Sequence, residues 1–233
     1  MIVSHRHRFI FLKTRKTAGT SIEVALSRYC GPEDVVTPVS PDDEAVRRGL
    51  GTGPRNYRRS MRSLRPRHIP TLLRGRWPVL YWNHMTAREV RDRVGAATWD
   101  GYFKFAFERD PMERVLSYYH HRAHQEMSLA DFVETELHRC LNHPIYTLDG
   151  ALCVDMLGRF DHLEEDLKFV TAHLGLPFDG RMPRLKGGFR SDRRPPGEVF
   201  TASQSRMIQE FFREEYALLA APRWPAGAVE GAA

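Results

Sequence analysis

The chain has 233 residues, 42% hydrophobic and 27% charged, with a formal net charge of +6. That balance suits one soluble α/β domain with a full interior, and no apolar run approaches the length of about eighteen residues that a membrane-spanning helix needs. Three cysteines, Cys30, Cys140 and Cys153, lie too far apart for a disulfide framework or a zinc pattern, which suits a reducing, cytoplasmic setting.

Met1–Arg8 carries charge but no apolar region of the signal-peptide kind. Phe9-Ile10-Phe11-Leu12 follows, four apolar residues in a row, as in a strand buried on both faces. The chain then breaks into Lys13-Thr14-Arg15-Lys16-Thr17-Ala18-Gly19-Thr20-Ser21, a short loop of small, hydroxylated and basic residues. Ile22, Leu26 and Tyr29 recur at helical spacing until Gly31-Pro32. Strand, tight loop and helix leave backbone N–H groups open at a helix N-terminus, which attracts anions. Lys13, Arg15 and Lys16 add positive charge there, and Thr17, Thr20 and Ser21 add hydroxyls. The order differs from the P-loop G-x-x-x-x-G-K-[ST], because Lys16 precedes Gly19.

Residues 31–78 are rich in Pro, Gly, Ser and Arg and show little periodicity, so an irregular insertion is expected, of the kind that covers a substrate. Between Ala45 and Ala87 stand ten arginines and no acidic residue, leaving the rest of the chain at −4. Two readings stand for this block: a surface for an anionic partner, or a solvated arginine-rich loop.

Val79-Leu80-Tyr81-Trp82 reads as a short strand, and Thr86 with Glu89 as the capping box of a helix running to about Val94. His84 falls between them, at the kind of strand end where open α/β sheets bind ligands, and an imidazole there can take a proton near neutral pH. In Tyr102–Phe107, Phe103, Phe105 and Phe107 alternate as in a strand. Arg109-Asp110-Pro111 then opens a helix, with Asp110 as cap and Pro111 in the first turn. Arg109 can offer a two-pronged grip to a phosphate, and Ser117, eight residues on, a hydroxyl. His120, His121 and His124 lack the glutamate of a zincin helix and have Arg122 among them, so no metal site is expected.

Ser128 and Asp131 open another helix. Asp155–Leu167 reads as a late strand and the start of a helix with Leu163, Leu167, Val170 and Leu174 on one face, ended by Gly175 and Pro177. Asp161 in this stretch reads as scaffold. Leu185–Arg190 is a basic, glycine-containing loop. A last amphipathic helix is expected over 202–219, with Met207, Ile208, Phe211, Phe212 and Tyr216 inward, before a disordered tail at 223–233.

The loop Lys16-Thr17-Ala18-Gly19-Thr20-Ser21 resembles the 5′-phosphosulfate loop of sulfotransferases that use PAPS (3′-phosphoadenosine 5′-phosphosulfate), and most nearly the carbohydrate type, sulfotransferase family 2. Many members have proline where this chain has Arg15. Arg109-Asp110-Pro111 with Ser117 resembles the family's 3′-phosphate segment, with Asp110 in place of asparagine, and members commonly have glutamate where Asp161 stands. The resemblance runs from Phe9 to about Leu219. It implies a single domain over 1–222, with a three-layer, P-loop-like α/β fold around a central parallel sheet. It implies transfer of a sulfuryl group from PAPS to an acceptor hydroxyl, leaving PAP, in a bacterial-like soluble member.

In that scheme Lys16 stabilises the leaving phosphate and His84 is the base. Lys13, Arg15, Lys16, Thr17, Ala18, Gly19, Thr20 and Ser21 cradle the 5′ end of the cofactor. Arg109 and Ser117 hold its 3′-phosphate, with Lys186 and Arg190 as candidates in a closing loop. No metal is required. The expected partner is a hydroxylated acceptor, a carbohydrate or glycolipid, with a saccharide first and an anionic one where the arginine block takes part; no specific nucleic acid is expected. Two other readings stay open: a P-loop-type small-molecule kinase, which would need Mg²⁺ and a carboxylate to hold it, and a basic anion- or nucleic-acid-binding protein without catalysis.

Overall fold

A computed structural model describes residues 1–183, 185 and 194–221. In chain order its strands are β1 (Ile2–Ser4), β2 (Phe9–Leu12), β3 (Val35–Val36), β4 (Phe103–Glu108), β5 (Thr147–Leu148), β6 (Ala151–Leu152) and β7 (Met156–Arg159). Its α-helices are α1 (Gly19–Ser27), α2 (Pro41–Gly49), α3 (Ile69–Leu73), α4 (Ala87–Val94), α5 (Ala96–Gly101), α6 (Pro111–Tyr118), α7 (Leu129–Thr135), α8 (His143–Tyr146), α9 (Leu163–His173), α10 (Pro196–Val199), α11 (Ala202–Phe211) and α12 (Arg213–Ala220).

Among the described residues the main sheet has the order β3-β1-β2-β4-β7. Strands β2, β4 and β7 are parallel, with Phe9 opposite Phe103 and Ala106 opposite Leu157. The expected central parallel sheet is present over β2, β4 and β7, and it carries an antiparallel edge, because β1 runs antiparallel to both β2 and β3. The turn from Ser4 to Phe9 is too short for the crossover that a parallel neighbour requires.

Each strand alternates its side chains between two cores. Phe9, Phe11, Phe105, Phe107 and Met156 pack against Ile22 and Leu26 of α1 and Leu167 and Val170 of α9. Ile10, Leu12, Ala106 and Leu157 face the other way, against Val90 of α4, Trp99 of α5 and Ile145 of α8. Helices therefore cover both faces of the sheet, which is why β2 reads as an unbroken apolar run. Phe11 stacks on Phe105 with ring centroids 5.3 Å apart, and each fully buried phenylalanine contributes about 1.5–3 kcal/mol. Gly158 sits under this cluster because a Cβ there would lie 2.6 Å from Phe107 Cε1. A lateral core joins α6, α7 and α11 through Leu116, Phe132, Ile208 and Phe212.

The insertion is more regular than its composition suggests, since it holds α2 and α3. Arg47 is fully buried on α2, where it pairs with Glu44 and donates to the Thr37 carbonyl at 3.0 Å, which anchors the helix. Val79–Trp82 is not a strand. A bridge links Val79 to Arg58, and the amides of Leu80 and Tyr81 both turn to the Tyr57 carbonyl, at 2.8 and 3.0 Å. The first helix ends at Ser27, before Gly31-Pro32, and the last is broken at Phe212 into α11 and α12. That break leaves Met207 38% and Phe211 45% exposed, while Ile208 and Phe212 stay buried as expected. Among the described residues no helix is long and apolar enough to cross a membrane.

Candidate active site

The parallel strands β2, β4 and β7 all point their carboxyl ends at one cleft of about 1240 Å³. The residues leaving those ends line it: Lys13–Ser21 after β2, Arg109 after β4, and Phe160–Glu165 after β7. Ligands collect at such an edge because loops diverge there and helix N-termini point into the gap. His84 and Ser117 line the same cleft. Lys186 and Arg190 lie outside the described residues.

The loop after β2 is held from below. The Thr14 hydroxyl donates to the Phe107 carbonyl of β4, and Thr17 Oγ1 lies 2.7 Å from Thr14 Oγ1. Lys16 (φ 62°) and Ala18 (φ 57°) both take left-handed backbone, which costs non-glycine residues energy and persists where surroundings dictate it. Ala18 precedes α1 without any side-chain cap, so the first-turn N–H groups of α1 are uncapped from that side. Gly19 is required by a close approach: a Cβ there would lie 2.8 Å from Lys13 Cγ.

The loop's cations do not serve alike. Lys13 is buried and its ammonium is 2.6 Å from Glu23 Oε2 on α1. Burial by itself would raise the Glu23 pKa, yet Lys13 and then the Met1 amine, 3.0 Å away, hold that carboxyl below its ordinary value. Arg15 donates to the Leu141 carbonyl at 2.8 Å, and burial lowers its pKa. Lys16 is half-buried on the cleft wall. Ser21 Oγ accepts the Leu185 amide at 3.2 Å, which brings Leu185 against the cradle, and Met182 and Pro183 line the same cleft.

His84 does not follow a strand, as expected from sequence; it sits in a turn at φ 62° before α4. Its Nδ1 lies 2.9 Å from the Lys13 carbonyl, so the end of β2 brings it to the cleft. A carbonyl only accepts, so Nδ1 carries the proton and Nε2 keeps its lone pair. Burial, then the charges of Lys13 and Arg15, pull its pKa down to about 3. The imidazole is a neutral acceptor at neutral pH.

Beyond β4, Asp110 accepts the Glu113 amide at 2.9 Å and Pro111 occupies the first turn of α6. A cap of this kind contributes about 1 kcal/mol. Arg109 lies over the Phe160 ring, 4.4 Å from its centroid, with Glu113 2.8 Å from its guanidinium. The planar guanidinium is thereby fixed at the cleft wall by stacking and by an ion pair. After α6 the helix loosens into a π-helical turn over Tyr119–Ala123, which turns His121 and Arg122 toward the cleft.

Some residues of the site have no sequence signal. Asp161, expected to be scaffold, and Phe160 beside it are cleft wall. Asn142, fully buried, clamps the loop: its Oδ1 accepts the Arg15 amide at 2.8 Å and its Nδ2 donates to the Arg15 carbonyl at 3.1 Å. The same Nδ2 reaches Glu108 Oε1 at 3.1 Å. Glu108 pairs with Arg114 at 2.5 Å, and Arg114 pairs in turn with Glu215. Burial raises the Glu108 pKa against the pull of Arg114. Glu215 accepts the amides of Asn142 and His143, both at 2.8 Å. One buried polar network thus joins β4, α6, α12 and the segment that holds the loop.

The arrangement can bind anions at two places along one cleft and accept a proton beside one of them. A protein of Archaeoglobus fulgidus, described as an uncharacterized protein, is 37% identical over 101 residues, 40% of this chain and 84% of its own length. No solved structure matches. The model of the sulfotransferase family matches residues 1–147, a span that includes the loop after β2, His84, Arg109 and Ser117. The chain belongs to the sulfotransferase family.

Proposed function

We propose that the protein transfers a sulfuryl group from PAPS to a hydroxyl of an acceptor, a saccharide first. The observation that carries this reading is the shared cleft: the uncapped loop Lys13–Ser21 and the Arg109–Ser117 segment open onto it from adjacent parallel strands. Two anion sites on one cleft suit a nucleotide with phosphates at both its 5′ and 3′ positions. The strand–loop–helix order is P-loop-like, with Lys16 ahead of Gly19 in place of the usual order.

The acceptor oxygen attacks sulfur in line, the bond from sulfur to the bridging phosphate oxygen breaks, and negative charge gathers on that oxygen. Lys16 meets the charge, helped by loop N–H groups and the Thr20 hydroxyl. His84 Nε2 takes the acceptor proton. Its low basicity follows from burial and from Lys13 and Arg15; an anion in the cradle offsets those charges and raises it. Arg109 and Ser117 hold the 3′-phosphate. Lys13, paired to Glu23, shapes the cradle and supplies long-range positive potential.

Calorimetric titration with PAP tests this reading. PAP should bind at least tenfold more tightly than ADP, with or without EDTA, and lose most of its affinity in Lys16→Ala. Equal binding of ADP, strengthened by Mg²⁺, would overturn it in favour of a kinase.

A further inference from the structure

Within the insertion, residues 57–59 and 78–81 close the base of an arm. Arg59 N donates to the Pro78 carbonyl at 3.0 Å, Trp77 Nε1 donates to the Arg59 carbonyl at 2.6 Å, and Arg58 bridges to Val79. Between these ends the chain makes a 3₁₀ turn at Met61–Ser63, a second at Pro66–His68, and then α3. The Arg65 amide donates to His68 Nδ1 at 2.9 Å, which tightens the second turn. Leu72 of α3 turns inward, where it lines a cavity of about 790 Å³ together with Tyr57 and Trp77. One side of α3 therefore seats the arm on the rest of the protein.

The other side is apolar and uncovered. Ile69 and Leu73 stand four residues apart on α3, so they share a helical face, and they are 52% and 83% exposed. Met61, in the first turn, is 72% exposed. Single exposed apolar side chains are ordinary on a protein surface, but three large ones on one short arm mark a contact face. Arg62, Arg65, Arg67, Arg74 and Arg76 are exposed on the same arm. No acidic residue occurs between Ala45 and Ala87 to balance them, and among the described residues none of the five pairs with a carboxylate. Elsewhere in the insertion Arg47 and Arg55 are structural: Arg47 pairs with Glu44, and Arg55 donates to the carbonyls of Cys30 and Gly31.

We propose that this arm docks the protein on the surface of an anionic lipid bilayer. Met61, Ile69 and Leu73 enter the boundary between headgroups and acyl chains, and the five arginines meet the lipid phosphates and the negative surface potential. The two halves of the arm's chemistry answer to two layers of one partner. A nucleic acid would engage the arginines but leave the isoleucine and leucine in water, because its backbone offers charge and its bases want aromatic platforms. The arm lies in the interface and does not span it; among the described residues no helix is long and apolar enough to cross. The inference is independent of the transfer reading above, since none of the arm's arginines lines the main cleft.

Vesicle flotation of the full chain at physiological salt tests this, with phosphatidylglycerol and phosphatidylcholine in equal parts against phosphatidylcholine alone. The protein should partition onto the anionic vesicles at least about tenfold more strongly. Ile69→Ser/Leu73→Ser leaves the charge unchanged and should weaken that partition at least about tenfold. Its thermal unfolding midpoint should stay close to the parent's, because both side chains are exposed. Arg62→Gln/Arg65→Gln/Arg67→Gln should weaken the partition by at least about tenfold as well. An Arg48→Gln/Arg206→Gln control, exposed but off the arm, should change it less than about twofold. No binding to the anionic vesicles, equal binding to both kinds, undiminished binding by the serine variant, or equal loss in the control would overturn the proposal. A preference for duplex RNA over the anionic vesicles, retained in the serine variant, would overturn it in favour of a nucleic-acid surface.

Discussion

Asn142 grips the backbone of Arg15 from both sides, accepting its amide at 2.8 Å and donating to its carbonyl at 3.1 Å across 127 positions of sequence. The loop that cradles the proposed phosphosulfate is therefore positioned by a side chain on another element. Removing the amide group in Asn142→Ala strands both Arg15 backbone groups, which should cost about 1–3 kcal/mol of stability. Chemical denaturation measures that cost. PAP binding should weaken as well, at temperatures where the variant remains folded. Asn142→Asp keeps the acceptor but puts a third carboxylate beside Glu108 and Glu215, so it should be the more destabilised of the two.

The buried pair of Glu108 with Arg114 gives a second expectation. Arg114→Met leaves Glu108 and Glu215 without their shared cation in a fully buried site. Breaking a buried pair from one side costs about 3–5 kcal/mol, which should appear as a large fall in the unfolding midpoint. Glu113→Gln removes a partly exposed partner of Arg109 and should change stability by less than about 1 kcal/mol.

Much of the fold is legible locally. Thr86 and Glu89 cap each other as their spacing predicts, Asp110 caps α6, and β2 and β4 show themselves as an apolar run and an alternation. Elements set by tertiary pairing are not legible. β1 and β3 have three and two residues, too few for a periodic signal, and exist because β1 completes an edge beside β2. Val79–Trp82 has the composition of a strand but turns its amides to Tyr57, and β-propensity yields to that contact. The candidate site divides the same way. Lys16, Gly19, Arg109 and Ser117 sit within local patterns, whereas Phe160 reaches the cleft, and Asn142 the loop behind it, only through the packing of distant segments. Lys13 looks equal to Lys16 in sequence, and only the fold shows its ammonium turned to Glu23.

Gly19 offers a test of the cradle's tightness. In Gly19→Ala the new methyl lies 2.8 Å from Lys13 Cγ and must displace the side chain that pairs with Glu23. Crowding of this kind typically costs about 1–3 kcal/mol. PAP affinity should fall with it, while the far-ultraviolet circular dichroism spectrum stays that of the parent.

His84 should leave a mark on the pH dependence of stability. Its folded-state pKa is about 3, below the ordinary imidazole value of 6.5, because of burial and the charges of Lys13 and Arg15. Between these values the unfolded chain binds a proton that the folded chain does not, so stability falls as pH drops through 6.5 toward 3. The limiting slope is about 1.4 kcal/mol per pH unit for one proton. Denaturation of the parent and of His84→Gln from pH 7.5 to 4.5 should show this slope as their difference. Under the proposed mechanism His84→Gln also loses about 10²–10⁴-fold in turnover while keeping PAP affinity within about twofold.

On the proposed reading, the loop after β2 and Arg109 hold opposite ends of one nucleotide. A thermodynamic cycle tests it most directly, comparing PAP with AMP, which lacks only the 3′-phosphate, in the parent and in Arg109→Ala. Losing a charge-assisted grip should cost PAP about 1.5–3 kcal/mol, with little effect on AMP. Read as thermal stabilisation, the parent should prefer PAP clearly and the variant should treat the two nucleotides almost alike. If the preference for PAP survives unchanged in Arg109→Ala, Arg109 does not read the 3′-phosphate and the account of the cleft is wrong.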